Sequence, residues 1–219
     1  MNRFPRFETL PMGILLAMAG GSLDCYTYLS RGQVFATAET GNLVLLGIRL
    51  AQGKISLAAH YLPPILAFMC GVLAAEQLRA AFTGRERKFD WRQLVLLAEC
   101  AVVAAVAVLP CGKLDSLVNV LISFTSAMQV EGFRSFAGCA CATTMCTGNL
   151  RSGTENLFLR LKKKDREAGR KAAVYGGIIL AFVAGVVLCS LLVPHLGGAA
   201  AWMPFLLLAA ALGVSFYCG

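Results

Sequence analysis

Apolar runs of about twenty residues recur along the chain, and short polar stretches separate them. The runs predict helices at about 11–30, 59–83, 92–110, 114–136, 171–193 and 200–218. A helix of ~20 mainly apolar residues can cross the ~30 Å hydrocarbon layer of a bilayer. The pattern therefore predicts an all-α, polytopic membrane protein with about six transmembrane helices.

The composition agrees with this interpretation. Hydrophobic residues make up 58% of the 219 positions and charged residues 15%, and the mean hydropathy is +0.68. A soluble domain needs more polar surface than this. The first apolar run has the positive start of a signal peptide, but Asp24 stands where a cleavage site needs a small residue. We therefore interpret this run as a retained first helix.

The net charge of +8 is concentrated in two short basic connections, 83–92 and 160–171. Cytoplasmic loops of membrane proteins are rich in Lys and Arg. Two predicted helices separate these connections, so both fit the cytoplasmic side, together with both chain termini. The sequence thus predicts a protein of the cell inner membrane whose partner is the lipid bilayer, and it does not favour nucleic acid as a partner.

One motif, T-x-x-T-G-N-L, occurs twice. It begins at Thr37 and again at Thr144, an offset of 107 residues that also pairs Asp24 with Glu131. Downstream, L-A-F-x-x-G at 66–71 recurs at 180–185. We infer two repeats within one membrane domain, 1–112 and 113–219, with three spans each. Because three crossings turn the second copy over, the prediction is a 3+3 inverted repeat, as in many transporters.

The segments that follow T-G-N are too short or too charged to span a bilayer. They are predicted to be broken or re-entrant helices, with a surface-lying arrangement left open. Thr and Asn are expected to cap these helices, whose N-termini carry partial positive charge suited to a polar or anionic solute. The alternative is that T-G-N only caps two connecting loops. The candidate substrate-binding residues are Thr37, Thr40, Gly41, Asn42, Thr144, Thr147, Gly148 and Asn149.

Asp24, Glu99 and Glu131 are carboxylates that lie within predicted spans. A charge at the bilayer centre costs ~2.5–3.5 kcal/mol on insertion scales and usually faces the protein interior or a water-filled cavity. We predict that these three residues couple transport to protons or cations. The alternatives are a structural hydrogen bond for Asp24 and an ion pair between Glu131 and Arg134.

Signatures of enzymes are absent from the sequence, which has no Walker loop, H-E-x-x-H or G-x-S-x-G motif. Cys139, Cys141 and Cys146 are close in sequence, but their spacing matches no common zinc pattern. We therefore expect no enzymatic activity, no metal and no cofactor.

The stretch "GGSLDCYTYLSRGQVFATAETGNLVLLG" resembles the opening signature of the YoaK family, bacterial membrane proteins that carry a domain of unknown function. The mid-chain stretches "AMQVEGFRSF" and "TTMCTGNL" resemble the matching second signature of that family. The resemblance covers nearly the whole chain. It implies a small polytopic inner-membrane protein and implies no particular biochemical activity.

The inverted repeat and its two polar breaks favour a secondary transporter of a small polar or anionic solute, with proton coupling as a further expectation. Two alternatives stay open: a passive channel for a small solute, and a non-transporting membrane scaffold or sensor. The expected ligand is a small molecule or an ion. The sequence leaves self-association into a homo-oligomer open.

Overall fold

A computed structural model describes residues 5–83 and 89–217 of the chain. Within these ranges the protein is almost entirely helical, which confirms the predicted all-α class. Arg3 and most of the first basic connection lie outside the described residues. The helices are α1 (Leu10–Ser30), α2 (Glu39–Ala51), α3 (Ile55–Ala59), α4 (Leu62–Phe82), α5 (Trp91–Val108), α6 (Asp115–Gly132), α7 (Cys146–Lys163), α8 (Arg166–Leu196) and α9 (Trp202–Tyr217).

Local sequence signals explain several helix starts. Pro63 and Pro64 stand in the first turn of α4, where a missing N–H costs little. Asp90 and Gln93 form a capping box at the start of α5. The side chain of Asp165 accepts hydrogen bonds from two backbone amides of the next turn, so α8 begins at Arg166, five residues before the predicted start.

A two-stranded hairpin follows α6, where the sequence predicted continued helix to residue 136. Strand β1 (Ser135–Phe136) pairs with antiparallel β2 (Cys139–Ala140). Ala137 and Gly138 between them both have positive φ, as a tight hairpin turn requires. The predicted helix was therefore too long by about one turn, because apolar residues here continue into a hairpin packed on the bundle.

The contacts of the helices define two ends of the bundle. At the hairpin end, the Ala137 amide donates to Glu8 just before α1, and Arg170 near the start of α8 donates to the Ala137 carbonyl. The end of α9 is also there, since Ser215 contacts Gln93 at the start of α5. The opposite end, the Arg31 end, contains the last residue of α1 and the α5–α6 connection.

Helix α1 lies at the centre of the packing, against α8 and α9, while α4 packs against α6. Three glycines allow these crossings. A Cβ atom at Gly185 would overlap the carbonyl oxygen of Met18, and one at Gly71 would overlap that of Phe124. Gly21 on α1 meets α8 in the same way. Such small residues let helix backbones approach closely, as in membrane helix pairs.

Among the described residues, three stretches are long and apolar enough to cross a membrane: Ile55–Phe82, Trp91–Val108 and Arg166–Phe216, the last of which contains α8 and nearly all of α9. Helices α1 and α6 fall outside them. Both carry many buried polar residues, such as Ser22 and Asp24 on α1 and Ser123 and Gln129 on α6. Other helices surround these polar groups, as is usual for polar side chains within membrane proteins.

We predict that Gly185→Ala lowers the stability of the folded protein by about 1–3 kcal/mol, because the new methyl group must push α1 and α8 apart. Thermal unfolding in detergent micelles measures this. The control is Gly177→Ala in the same helix, where a Cβ meets nothing within 4 Å. It should leave stability unchanged or raise it by up to about 1 kcal/mol. Equal effects of the two changes would show that the close crossing does not limit stability.

Candidate functional site

The first T-G-N helix begins inside the bundle rather than at its surface. After α1 ends, the chain turns back along it, and the Thr37 amide donates to Oδ1 of Asp24 at 2.8 Å. The Ala36 amide reaches the Thr27 hydroxyl at 3.3 Å. Helix α2 then starts at Glu39 and runs back towards the Arg31 end, where His60, just beyond α3, lies against Gly32.

The second T-G-N helix has the corresponding arrangement at the hairpin end. Leaving the hairpin, the chain passes the buried side chain of Gln129, which lies 3.1 Å from the Thr143 hydroxyl. The methyl group of Thr144 packs against Gly20, near the middle of α1. Helix α7 starts at Cys146 and ends at Lys163, just before α8 begins beside the hairpin.

The asparagines of the two motifs make the same backbone contact. Nδ2 of Asn42 donates to the Phe35 carbonyl at 2.7 Å, and Nδ2 of Asn149 donates to the Ala142 carbonyl at 2.6 Å. Each bond reaches back seven residues. Neither helix has a side-chain cap hydrogen bond, so the expectation that Thr and Asn cap the helices was wrong. T-G-N lies within the first turn, and its asparagine holds the extended segment before the helix.

Both helix starts line one cavity of about 910 Å³. This cavity brings together residues that are about a hundred positions apart in the sequence. Of the predicted substrate-binding residues, six line it: Thr37, Thr40, Thr144, Thr147, Gly148 and Asn149. Gly41 and Asn42 do not; Gly41 packs on the ring of Phe35, and Asn42 is fully buried behind the wall.

Charged groups of both signs border this cavity. Glu39 stands at the start of α2, Arg151 lies in the second turn of α7, and Glu131 with Arg134 lies at the end of α6. Cys141 is also in the wall; burial raises the pKa of its thiol to about 11, so it adds no charge near neutral pH.

The three predicted coupling residues lie in different surroundings. Only Glu131 borders the shared cavity, and it pairs with Arg134, as its alternative interpretation expected. Arg79 and Glu76 of α4 join the pair, with Arg79 lying 3.9 Å from Glu131 and 2.9 Å from Glu76. This network of four charges links the ends of α4 and α6 beside the cavity.

Asp24 borders a neighbouring cavity of about 610 Å³ between α1, α2 and α8. Its hydrogen bond from Thr37 matches the structural alternative for this residue. Glu99 is 1% exposed and faces Gln129 of α6. With its amide nitrogen turned towards Glu99, Gln129 donates to that carboxylate at 2.8 and 3.1 Å and accepts from Thr143 at 3.1 Å.

Three residues of this region escaped the sequence analysis. These residues are Glu39, Gln129 and, at the Arg31 end, Arg31 itself; the sequence analysis assigned none of them a role. Arg31 is fully buried and bonds Tyr26, Asp115 and three carbonyls, one in the last turn of α5 and two just beyond it. The sequence signal was a lone arginine next to an apolar helix, since a buried guanidinium needs partners for all its donors.

Comparison with known proteins places the chain in a family. Residues 12–214 match the family model described as a protein of unknown function, DUF1275. The chain belongs to this family. It is 26% identical over 202 residues to the UPF0700 transmembrane protein YoaK of Bacillus subtilis (strain 168), which covers 89% of the chain and 88% of that protein. No solved structure matches the chain.

Membership of the DUF1275 family confirms the resemblance seen in the two signatures, and the matched residues include both T-G-N motifs. The relative is a transmembrane protein by name, and three described stretches of this chain have membrane-spanning length and hydropathy. This member of the DUF1275 family is therefore an integral membrane protein.

We predict that Asn149→Ala destabilises the start of α7, because the half-buried Ala142 carbonyl loses its donor, at a cost of about 1 kcal/mol. Labelling of Cys146 by a small maleimide should become faster, and thermal unfolding should shift down. Asn156→Ala is the control, since Asn156 bonds only a carbonyl of its own helix, at Ser152. If both variants behave alike, Asn149 does not anchor the motif.

Proposed function

We propose that the protein is a secondary transporter of a small polar or anionic solute, which binds between the starts of α2 and α7. The observation that carries this proposal is the shared cavity, to which both T-G-N motifs contribute. Its volume of about 910 Å³ falls within the range of small-molecule sites, roughly 300–1,000 Å³. Broken helices whose N-termini meet at a central site are typical of transporters. A scaffold with closed turns has no need for such a cavity.

The proposed architecture is six spans in a 3+3 inverted repeat, 1–112 and 113–219. Equivalent contacts in the two halves support it. Asn42 and Asn149 hold equivalent carbonyls. Gly71 of α4 contacts the backbone of α6, and Gly185 of α8 contacts that of α1 in the same way. Under the repeat alignment α4 corresponds to α8 and α1 to α6, so these two contacts are equivalent. In this arrangement the hairpin end and both termini face the cytoplasm, and the protein lies in the inner membrane.

Proton coupling is proposed for Asp24 and Glu99, with Glu131 as a charged part of the cavity wall. Among the described residues no basic side chain forms an ion pair with either Asp24 or Glu99. Each accepts hydrogen bonds from neutral groups instead. A buried carboxylate without a cation is costly when charged and can take up a proton in exchange. Side-chain hydrogen bonds from Thr143 through Gln129 connect Glu99 to the start of the second motif, because Thr143 directly precedes Thr144.

The side of each connection is testable by cysteine labelling. We predict that cysteines introduced at Thr83 and at Lys163 react with an impermeant maleimide from the same face of the membrane. A cysteine at Lys113 should react from the other face. The experiment uses a variant in which the exposed Cys70 and Cys111, the half-buried Cys146 and Cys218 are replaced by serine. Labelling of Thr83→Cys and Lys163→Cys from opposite faces would exclude the inverted repeat.

Removal of one hydroxyl group from the cavity tests transport. We expect Thr144→Val to reduce solute-driven currents of proteoliposomes on a supported membrane at least about tenfold, while unfolding in detergent stays unchanged. The panel of solutes is chloride, phosphate, acetate, alanine and 4-aminobutyrate. Thr125→Val is the matched control, because its hydroxyl bonds only its own helix.

An imposed pH gradient separates a carrier from a channel. A proton-coupled carrier should respond to it, whereas flux through a passive channel should not. Currents that are equal in wild type, Thr144→Val and Thr125→Val, or absent for every solute of the panel, would contradict the proposed transport.

A further inference from the structure

The two helix starts that line the shared cavity differ in charge. Helix α2 begins with Glu39, and the equivalent first residue of α7, at the offset of 107, is Cys146. Acidic residues are absent from the first turn of α7. A carboxylate in the first turn offsets the positive end of a helix, whereas α7 keeps that end uncompensated. The cavity therefore has one acidic side and one positive side.

Glu39 makes up the acidic side. Its Oε2 accepts a hydrogen bond from Asn42 at 2.8 Å. Its Oε1 is buried beside Ser123 and lacks a hydrogen bond of good geometry. Among the described residues no Lys, Arg or His forms an ion pair with Glu39. A carboxylate in this state attracts a cationic donor from whatever occupies the cavity.

The α7 start makes up the positive side. Thr144 lines the cavity and is 4% exposed; its methyl group packs against Gly20, and its buried hydroxyl lacks a hydrogen-bond partner. The Thr37 hydroxyl, on the α2 side, also lacks a partner of good geometry. Arg151 borders the same cavity and has no ion-pair partner among the described residues. Backbone amides, a hydroxyl and a guanidinium together suit a carboxylate.

The other charged pair in the wall does not alter this balance. Glu131 and Arg134 bind each other, and Cys141 is neutral near physiological pH because its pKa is raised to about 11. Phe68 and Met145 add apolar surface to the wall. Among the described wall residues, the charged groups without an ion-pair partner are thus Glu39 on the α2 side and Arg151, together with the start of α7, on the other side.

We propose that the solute is a zwitterion, with its ammonium group at Glu39 and its carboxylate at the start of α7. This inference rests on the proposed function of the cavity and names the class of its ligand. A purely anionic solute would leave Glu39 buried against a second negative charge. A zwitterion satisfies both sides at once, and the apolar wall accommodates the rest of a small amino-acid-like molecule.

The test compares zwitterions with analogues that carry only one of their charges. Three sets serve as probes: alanine with propionate and ethylammonium, phenylalanine with 3-phenylpropionate and 2-phenylethylammonium, and 4-aminobutyrate with butyrate and propylammonium. Binding to the purified full-length protein in detergent is measured by calorimetry. At least one zwitterion should bind about tenfold or more tightly than both of its analogues, since a charge-assisted hydrogen bond has this magnitude.

Two variants with the same change in net charge locate the effect. Glu39→Gln keeps an oxygen that can accept from Asn42, so the fold should hold, but it should abolish the preference for the zwitterion over its carboxylate analogue. Glu155→Gln removes an exposed carboxylate of α7 that does not border the cavity, and it should keep that preference. Thermal unfolding of both variants verifies that they fold.

The possible results separate this inference from the transport proposal. Equal binding of a zwitterion and its carboxylate analogue, a preference that survives Glu39→Gln, or no binding by any zwitterion would each overturn the inference. Anion-driven currents in proteoliposomes would then still support a transporter. Conversely, tight and Glu39-dependent binding without any current would support the zwitterion site and overturn transport.

Discussion

A backbone that leaves its helix inside an apolar layer must find hydrogen-bond partners within the protein, because lipid offers none. The two breaks of this chain depend on that constraint. Asp24 receives the Thr37 amide and Thr27 the Ala36 amide, while Asn42 and Asn149 donate to carbonyls of the approach segments. These polar side chains are therefore first of all the partners of irregular backbone, and they hold the segments that precede the two helix starts lining the cavity.

The irregular backbone of the hairpin also finds its hydrogen-bond partners within the protein. Its carbonyls are bound by Arg170 at Ala137 and by Tyr175 at Ala140, both from α8. At the Arg31 end, a single buried guanidinium collects Tyr26, Asp115 and the carbonyls that terminate α5. Each end of the bundle is thus closed by long donors that reach several carbonyls.

The proposed duplication accounts for contacts that the two halves share, and the positions at which the halves differ indicate how their chemistry could differ. Anchoring contacts recur in both copies, as the asparagines and the helix-crossing glycines show. The first residue of the T-G-N helix differs between the two halves: α2 begins with Glu39 and α7 with Cys146. A symmetric pair of helix ends would favour an anion at both. The single carboxylate makes the site bipolar, and this asymmetry is the basis for a ligand with two charges.

Hydropathy was sufficient to predict the helical class and most of the long helices, because burial in lipid or protein demands apolar runs whatever the neighbours are. The hydropathy pattern and the repeated motif did not predict the family, which came from the resemblance of two signature stretches. The repeated motif identified six of the residues that line the cavity. Contacts between distant segments decided three other features. These are the role of Asn42 and Asn149, the hairpin at 135–140, and the partners of Glu99 and Arg31. A side chain's hydrogen-bond partner is a property of the packed fold, so only the tertiary structure decided which polar residues hold the backbone and which face the cavity.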